Sequence, residues 1–209
     1  MTSRTPTASA PVRRADLRRA KRIDEILRVA TRLLAERGYA ATSLDEIAEV
    51  FDLSKASIYH YFPSKEDLIL ACLDRIGDES QRQLTAAAGS AVSPRDRLHA
   101  VVRAQVLTMT RDQPAGASLF IHDLGLPEAA RARVRALVER HDQLFRSIIE
   151  DGIKAGELHV ADPAIARLLM HGAVNFIPSW YKESRRMSPE RLAGVVADTL
   201  LQLFGSARP

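Results

Sequence analysis

Residues 42 to 65 leave this chain little choice of local structure. Ser43 is followed three residues later by Glu46, the capping-box spacing that opens a helix. Leu44, Ile47, Ala48 and Phe51 recur at helical spacing and make one apolar stripe. The stripe stops at Asp52-Leu53, and Ser54 can cap a second helix over Lys55 to Tyr61. Pro63 ends that helix, because proline disfavours helical geometry in the residue before it. Ser64 with Asp67 opens a third. The spacing predicts two short helices around a tight corner.

The second short helix is too brief and too polar for a core. Ile58 and Phe62 can pack inward, which leaves Lys55, Ser57, Tyr59, His60 and Tyr61 facing outward. Lys55 and Lys65 can neutralise phosphates. The hydroxyls of Thr42, Ser43, Ser57, Tyr59 and Tyr61 can bond phosphate oxygens or base edges. Ala56 and Ser57 are small, so the backbone can sit deep in a groove. This is how a protein places a helix in the major groove of double-stranded DNA. An ordinary helical hairpin with a polar face is the competing interpretation.

The run Thr42-Ser43-Leu44, Ile47-Ala48, Leu53-Ser54-Lys55, Ile58 to Phe62 and Ser64 to Leu68 resembles the DNA-binding module of TetR-type (tetracycline-repressor-like) regulators. The resemblance implies a motif over about 43–62 with a recognition helix at 54–61. It implies phosphate contacts from Tyr59 and Lys65, and groove contacts from Lys55, Ser57 and His60. Two positions depart from the family pattern. Asp52 stands where glycine usually makes the corner, and aspartate is among the few other residues that tolerate positive φ. Asp45 stands where many relatives carry a basic or neutral groove contact, which makes operator sequence less transferable than docking.

Charge is concentrated at one end. Residues 1–22 hold Arg4, Arg13, Arg14, Arg18, Arg19, Lys21 and Arg22 against Asp16 alone, within a chain whose total is +4. The rest is therefore net acidic. The segment is rich in Thr, Ser, Ala and Pro up to Val12 and reads as a flexible basic arm over 1–18. It could reach an adjacent minor groove or serve as a solubilising tail. The helix-turn-helix domain is expected over 19–66, and the remainder over 67–209. Cys72 is the one cysteine and sits on an apolar helical face, so it reads as a small buried hydrophobe. No signal-peptide pattern and no run of eighteen apolar residues is present, so a cytoplasmic, DNA-associated location and no membrane are expected.

The remainder is a string of helices. Ile23, Ile26, Leu27, Ala30, Leu33 and Leu34 make a stripe ended by Gly38. A long helix runs from Leu68 to about Ala88. Ser93-Pro94, Asp162-Pro163 and Ser188-Pro189 each place a cap before a proline at the first helical position. Helices are expected at about 94–111, 115–123, 127–155, 162–182 and 189–204. The class is all-α with about nine helices.

Family architecture implies a C-terminal domain that dimerises and encloses a ligand. The last two helices carry more apolar face than one small domain needs. Leu168, Val174, Leu192, Val196, Leu200 and Leu203 are expected at a two-fold homodimer interface. His171 to Lys182, followed by Met187 to Glu190, resembles a subset of these regulators that responds to acyl-CoA thioesters of lipid or sterol catabolism. In that subset Asn–x₄–Trp–Tyr and Ser-Pro-Glu recur, here as Asn175, Trp180-Tyr181 and Ser188-Pro189-Glu190. An unrelated hydrophobic ligand is the other reading. Candidate pocket residues are Met109, Phe120, Phe145, Met170, Asn175, Phe176, Trp180 and Tyr181, with Arg103, His122 and Arg146 at a polar end. Pro178 should kink its helix.

No His-x₃-His pair, P-loop, dinucleotide glycine pattern or nucleophile elbow is present. His141-Asp142 and His122-Asp123 are helix neighbours that point apart. No metal, cofactor or catalytic residue is expected. The expected function is a ligand-responsive transcriptional repressor, released from a palindromic operator by a hydrophobic molecule. The alternative is an activator or a DNA-binding protein without an effector, and an enzyme is not expected.

Overall fold

A computed structural model of the chain describes residues 14–122, 124–184 and 187–205. Among them are nine α-helices and no strand, only an isolated bridge between Ser184 and Met187. The helices are α1 (Arg14–Arg37), α2 (Leu44–Val50), α3 (Lys55–Tyr61), α4 (Lys65–Gly89), α5 (Pro94–Leu107), α6 (Pro114–Ile121), α7 (Glu128–Lys154), α8 (Pro163–Trp180) and α9 (Pro189–Leu201). A π-helical turn, Thr108–Asp112, joins α5 to α6, and a 3₁₀ turn, Gln202–Phe204, closes the chain end.

Helix starts follow local chemistry. The side chains of Ser43, Ser54, Ser64, Ser93, Asp162 and Ser188 each accept a bond from a backbone N–H in the first turn they cap. Pro94, Pro114, Pro163 and Pro189 lie in first turns, where a missing N–H costs nothing. Glu46 does not complete the capping box; it pairs with Arg37 of α1 instead. α8 runs through Pro178 and ends two residues later at Trp180. The first helix begins at Arg14, before the expected start at residue 19, so residues 14–18 are helical and residues 1–13 lie outside the described residues.

Two apolar cores divide the molecule. One gathers α1, α2, α3 and the first half of α4, together with Leu119 of α6, Leu126, and Ala130 and Leu137 of α7. The other gathers the end of α4 with α5, α8, α9 and the second half of α7, around the fully buried Phe145. The expected boundary at 66–67 therefore falls in the first turn of a helix, α4, that belongs to both cores. α7 crosses between them in the same way.

α4 is also strapped by charge. Arg75 bonds Asp24 of α1 at 2.6 Å, Asp78 accepts from Arg140 of α7 at 2.7 Å, and Asp74 pairs with Arg133. Gly77 lies at the crossing of α4 and α7, where an added Cβ would stand 2.8 Å from Leu137. Only glycine lets the two helices approach so closely there. Cys72 is fully buried in this stretch, as its apolar setting suggested, and burial pushes its thiol up to about 12.

Candidate DNA-reading face and effector cavity

α2 and α3 meet at a corner made by Asp52, which adopts φ 53 and is the one non-glycine residue with positive φ among the described residues. Asp52 thus supplies the left-handed geometry that glycine would supply more cheaply. Ile58 is fully buried beneath α3, and Phe62 follows it into the core. That leaves Lys55, Ala56, Tyr59 and His60 exposed along the helix.

Several outward groups are already engaged. Lys55 Nζ donates to Asp45 Oδ2 of α2 at 2.6 Å, and that bond raises the lysine's affinity for its proton. The departure at Asp45 therefore neutralises a leading cation of the second helix. His60 Nε2 lies 3.2 Å from Arg19 of α1, whose guanidinium also stands 5.2 Å from the centre of the half-buried Tyr61 ring. Lys65 Nζ stands 4.1 Å from the centre of the Tyr39 ring and donates to Ala40 O at 3.4 Å; burial lowers its proton affinity. The Ser57 hydroxyl pairs with that of Ser54 at 2.9 Å, and Ser43 spends its oxygen on its own cap. Tyr59, 45% exposed, has a free hydroxyl among the described residues.

Thr42 corrects the expectation for this face. It is 1% exposed, and its hydroxyl donates to Gly38 O at 3.0 Å, so it holds the end of α1 and does not face solvent. α1 adds what the short motif lacks. Arg14, Arg18 and Lys21 are exposed, unpaired among the described residues, and spaced i, i+4, i+7 along one face. This half of α1 buries no residue before Ile26.

Behind this module, at the junction of the two cores, lies a cavity of about 400 Å³. α4 contributes Ile76 and Gly77, the π turn Thr108 and Met109, and α6 Ala117, Phe120 and Ile121. α7 and α8 contribute a polar group: His141, Asp142, Arg167 and His171. Asp142 Oδ1 pairs with Arg167 and lies 3.3 Å from His171 Nε2, while Oδ2 accepts from Arg146 at 3.1 Å. The two imidazoles stand 5.6 Å apart, and His171 meets the Phe145 ring edge-on at 4.8 Å. Burial, then the neighbouring charge, pushes both histidines down to about 4. The π turn is held by Thr108, whose hydroxyl meets Ala104 O at 3.0 Å and Gln83 Oε1 at 2.9 Å. Such turns frequently occur where a helix borders a functional site.

Of the candidate pocket residues, Met109, Phe120 and Asn175 line this cavity. The other expected pocket residues do not. Phe145 and Met170 are packed in the C-terminal core. Phe176 and Trp180 point outward, 65% and 52% exposed. Arg103 is exposed, and Arg146 reaches the site only through the carboxylates of Asp142 and Glu139. His122 borders a separate, smaller hollow beneath the α6–α7 connection. The Tyr181 hydroxyl donates to Met187 O at 2.9 Å and pins the turn before α9.

The expected dimer set divides as well. Val174 and Leu192 are consumed inside the chain, 0% and 3% exposed, and Leu200 is nearly so at 9%. Val196 is half-buried, while Leu168 and Leu203 are exposed. Leu168 also lines the cavity. The outward apolar face is instead Ile165, Leu168, Leu169, Phe176, Trp180, Val195 and Leu203. His141, Asp142, Arg167 and His171 were missed as a site. The sequence signal was Arg167 with His171, an i, i+4 polar pair on an otherwise apolar helix. His141 and Asp142 do diverge as helix neighbours, yet the cavity is wide enough to meet both.

The family model for the N-terminal domain of bacterial regulatory proteins of the tetR family matches residues 26–72, and that for the tetracyclin repressor-like C-terminal domain matches residues 91–204. The chain belongs to the TetR family. Members of this family are DNA-binding transcriptional regulators, not enzymes. The HTH-type transcriptional regulator BetI of Rhizobium meliloti is 30% identical over 191 residues, spanning 90% of this chain and 86% of BetI. The transcriptional activator FasR of Mycolicibacterium smegmatis is 31% identical over 141 residues, 66% of this chain and 64% of FasR. The solved structure of AibR with isovaleryl coenzyme A and operator DNA superposes with a TM-score of 0.75 at 27% identity, covering 88% of this chain and 99% of AibR. No helix among the described residues is long and apolar enough to cross a membrane.

Proposed function

We propose that this TetR-family protein is a homodimeric repressor whose grip on a palindromic operator is released by a hydrophobic small molecule. The observation that carries this reading is the position of the cavity. Ile76 and Gly77 of α4 border it, and the same helix packs into the core that holds α3. α6 works in parallel: Ala117, Phe120 and Ile121 face the cavity while Leu119 is buried in the N-terminal core. The α6–α7 connection is tied to the end of α1 by the Tyr39 N–H donating to Leu124 O at 2.9 Å. An occupant that moves α4 and α6 moves α3 with them. In a dimer this changes the separation of two recognition helices, and half-sites about one helical turn apart no longer fit. The occupant must favour the released arrangement by several kcal/mol to switch it fully.

The exposed apolar face of α8 and α9 supports pairing about a two-fold axis. DNA contact is assigned to Ser43, Lys55, Ala56, Ser57, Tyr59, His60, Tyr61 and Lys65, with Arg14, Arg18 and Lys21 of α1 on the flanking phosphates. Lys55 and Lys65 would exchange their present partners, Asp45 and the Tyr39 ring, for phosphate oxygens. The place of action is the cytoplasm. An acyl-CoA thioester is the finer reading of the effector; the likeness to AibR favours it. The cavity volume suits an acyl group, with the nucleotide left outside. Activation is the second reading, and the likeness to FasR supports it.

Selection from a randomised duplex pool tests the assignment. A two-fold symmetric site is expected, bound more weakly by Tyr59→Phe, Lys55→Ala and Lys65→Ala. Unchanged affinity in all three variants contradicts the DNA-reading role of α3. Transcription in vitro from that site then separates repression from activation.

A further inference from the structure

We infer that the cavity between α4, α6, α7 and α8 takes the uncharged, mostly apolar part of a ligand, whose hydrogen-bonding oxygen is held at His171, and discriminates against free carboxylic acids. This rests on the reading of the cavity as the effector site. The argument begins with the charges on its wall. Arg167 is committed to Asp142, and its side chain is only 11% exposed. Arg146 bridges Asp142 at 3.1 Å and Glu139 at 3.9 Å. Two cations thus face two carboxylates, and the wall is neutral. A carboxylate entering here would have to draw Arg167 away from Asp142, leaving a buried charge without its partner, or remain unpaired itself.

The groups left to meet a ligand are neutral. His171 Nε2 is buried and makes no hydrogen bond, its 3.3 Å approach to Asp142 having poor bond geometry. Burial keeps the imidazole neutral at physiological pH. In the tautomer protonated on Nε2 the ring is a donor that Asp142 is poorly placed to accept from, so a ligand oxygen can serve as its acceptor. Gln81, Gln113 and Asn175 add amides to the wall, and none bonds another side chain among the described residues. Met109, Phe120 and Leu137 supply the apolar surface. A ketone, ester or thioester carbonyl, or a hydroxyl, satisfies this set; a carboxylate does not. An unsatisfied buried donor is costly, so filling it supplies specificity as well as affinity.

Calorimetric titration of the full-length protein at pH 7.5 with 2-nonanone, nonanoate and nonanoyl-CoA tests this. The ketone should bind at least about tenfold more tightly than the acid of equal length. His171→Phe should weaken the ketone by about tenfold while leaving operator binding without ligand unchanged. His171→Gln, which keeps a neutral donor, should retain most of the affinity and guards against a misfolded Phe variant. Nonanoyl-CoA binding more tightly than the ketone would support the proposal and assign the oxygen to a thioester. Equal or weaker binding would support it and assign the oxygen to a free molecule. Nonanoate binding as tightly as the ketone overturns the proposal but leaves the effector site standing. Ketone affinity unchanged in the Phe variant also overturns it. If none of the three binds, the cavity is not the effector site, and both conclusions fall.

Discussion

The DNA-reading face and the cavity wall use similar side chains in opposite ways. On α3, the Lys55–Asp45 pair stands in water, the lysine side chain 75% exposed. Such a pair is worth about 0–1 kcal/mol, so phosphate can displace one partner cheaply. In the cavity, Arg167 and Asp142 are 11% and 16% exposed. There, removing one partner strands the other, and the pair is not for exchange. Exposure is thus what separates a surface built to trade its counter-ions for a polyanion from one built to reject charge. The lesson is that the same residue types signal opposite ligands according to burial, which sequence spacing does not report.

That comparison breaks most readily at the cores beneath the two regions. Phe145→Ala, which empties a fully buried position under His171, should destabilise the C-terminal core by about 3–5 kcal/mol in denaturant titration. Lys55→Ala should change stability by less than about 0.5 kcal/mol while weakening operator binding. Comparable stability losses would erase the distinction.

Acid tests the buried histidines next. Burial holds His141 at about 4 in the fold against 6.5 for an ordinary histidine. Between these values the unfolded chain binds the proton and the fold does not. Stability is therefore full above about pH 6.5 and is lost as pH falls toward 4. The loss is on the order of 3 kcal/mol for this residue. His171 titrates over the same window for the same reason, beside Arg167 and Asp142. His141→Phe should flatten the stability profile between pH 4 and 6.5 in denaturant titrations. An unchanged slope would mean that the imidazole is not buried.

Smaller effects belong to the DNA side. Asp52→Val, which puts a β-branched residue at φ 53, should cost about 1–2 kcal/mol by thermal unfolding, and Asp52→Asn almost nothing. Asp45→Asn should leave stability within about 0.5 kcal/mol but release Lys55. The operator should then bind more tightly by up to about 1 kcal/mol, the cost of parting the pair, with little change in the slope of log affinity against log salt. Arg18→Ala with Lys21→Ala should shallow it by about two if α1 flanks the DNA.

How far each region was legible follows from the range of the forces that build it. Ser54, Ser93, Asp162 and Ser188 announced helix starts because a cap is made within a few residues. Asp52 announced a positive φ because few residues accept one. The cavity was far less legible. Phe145 and Met170 are apolar and central, yet they are core; Phe176 and Trp180 are apolar and face out. Which face of α8 turns inward depends on α5, α7 and α9, far away in sequence. His141 and His171 meet only because two helices pack side by side. Thr42 failed for the same reason: its hydroxyl has a use, but the partner is the last turn of α1.

The central claim is that filling the cavity moves α3. Cys72 is the one cysteine and is fully buried, so Val50→Cys at the exposed end of α2, which shares a core with α3 and lies outside the assigned DNA contacts, offers a single spin-labelling site per protomer. The distance between labels in the dimer can then be read by double electron–electron resonance, with and without saturating nonanoyl-CoA or 2-nonanone. A shifted distance distribution, with loss of operator binding at the same ligand concentration, is the predicted result. An unchanged distribution with the cavity occupied would contradict the account.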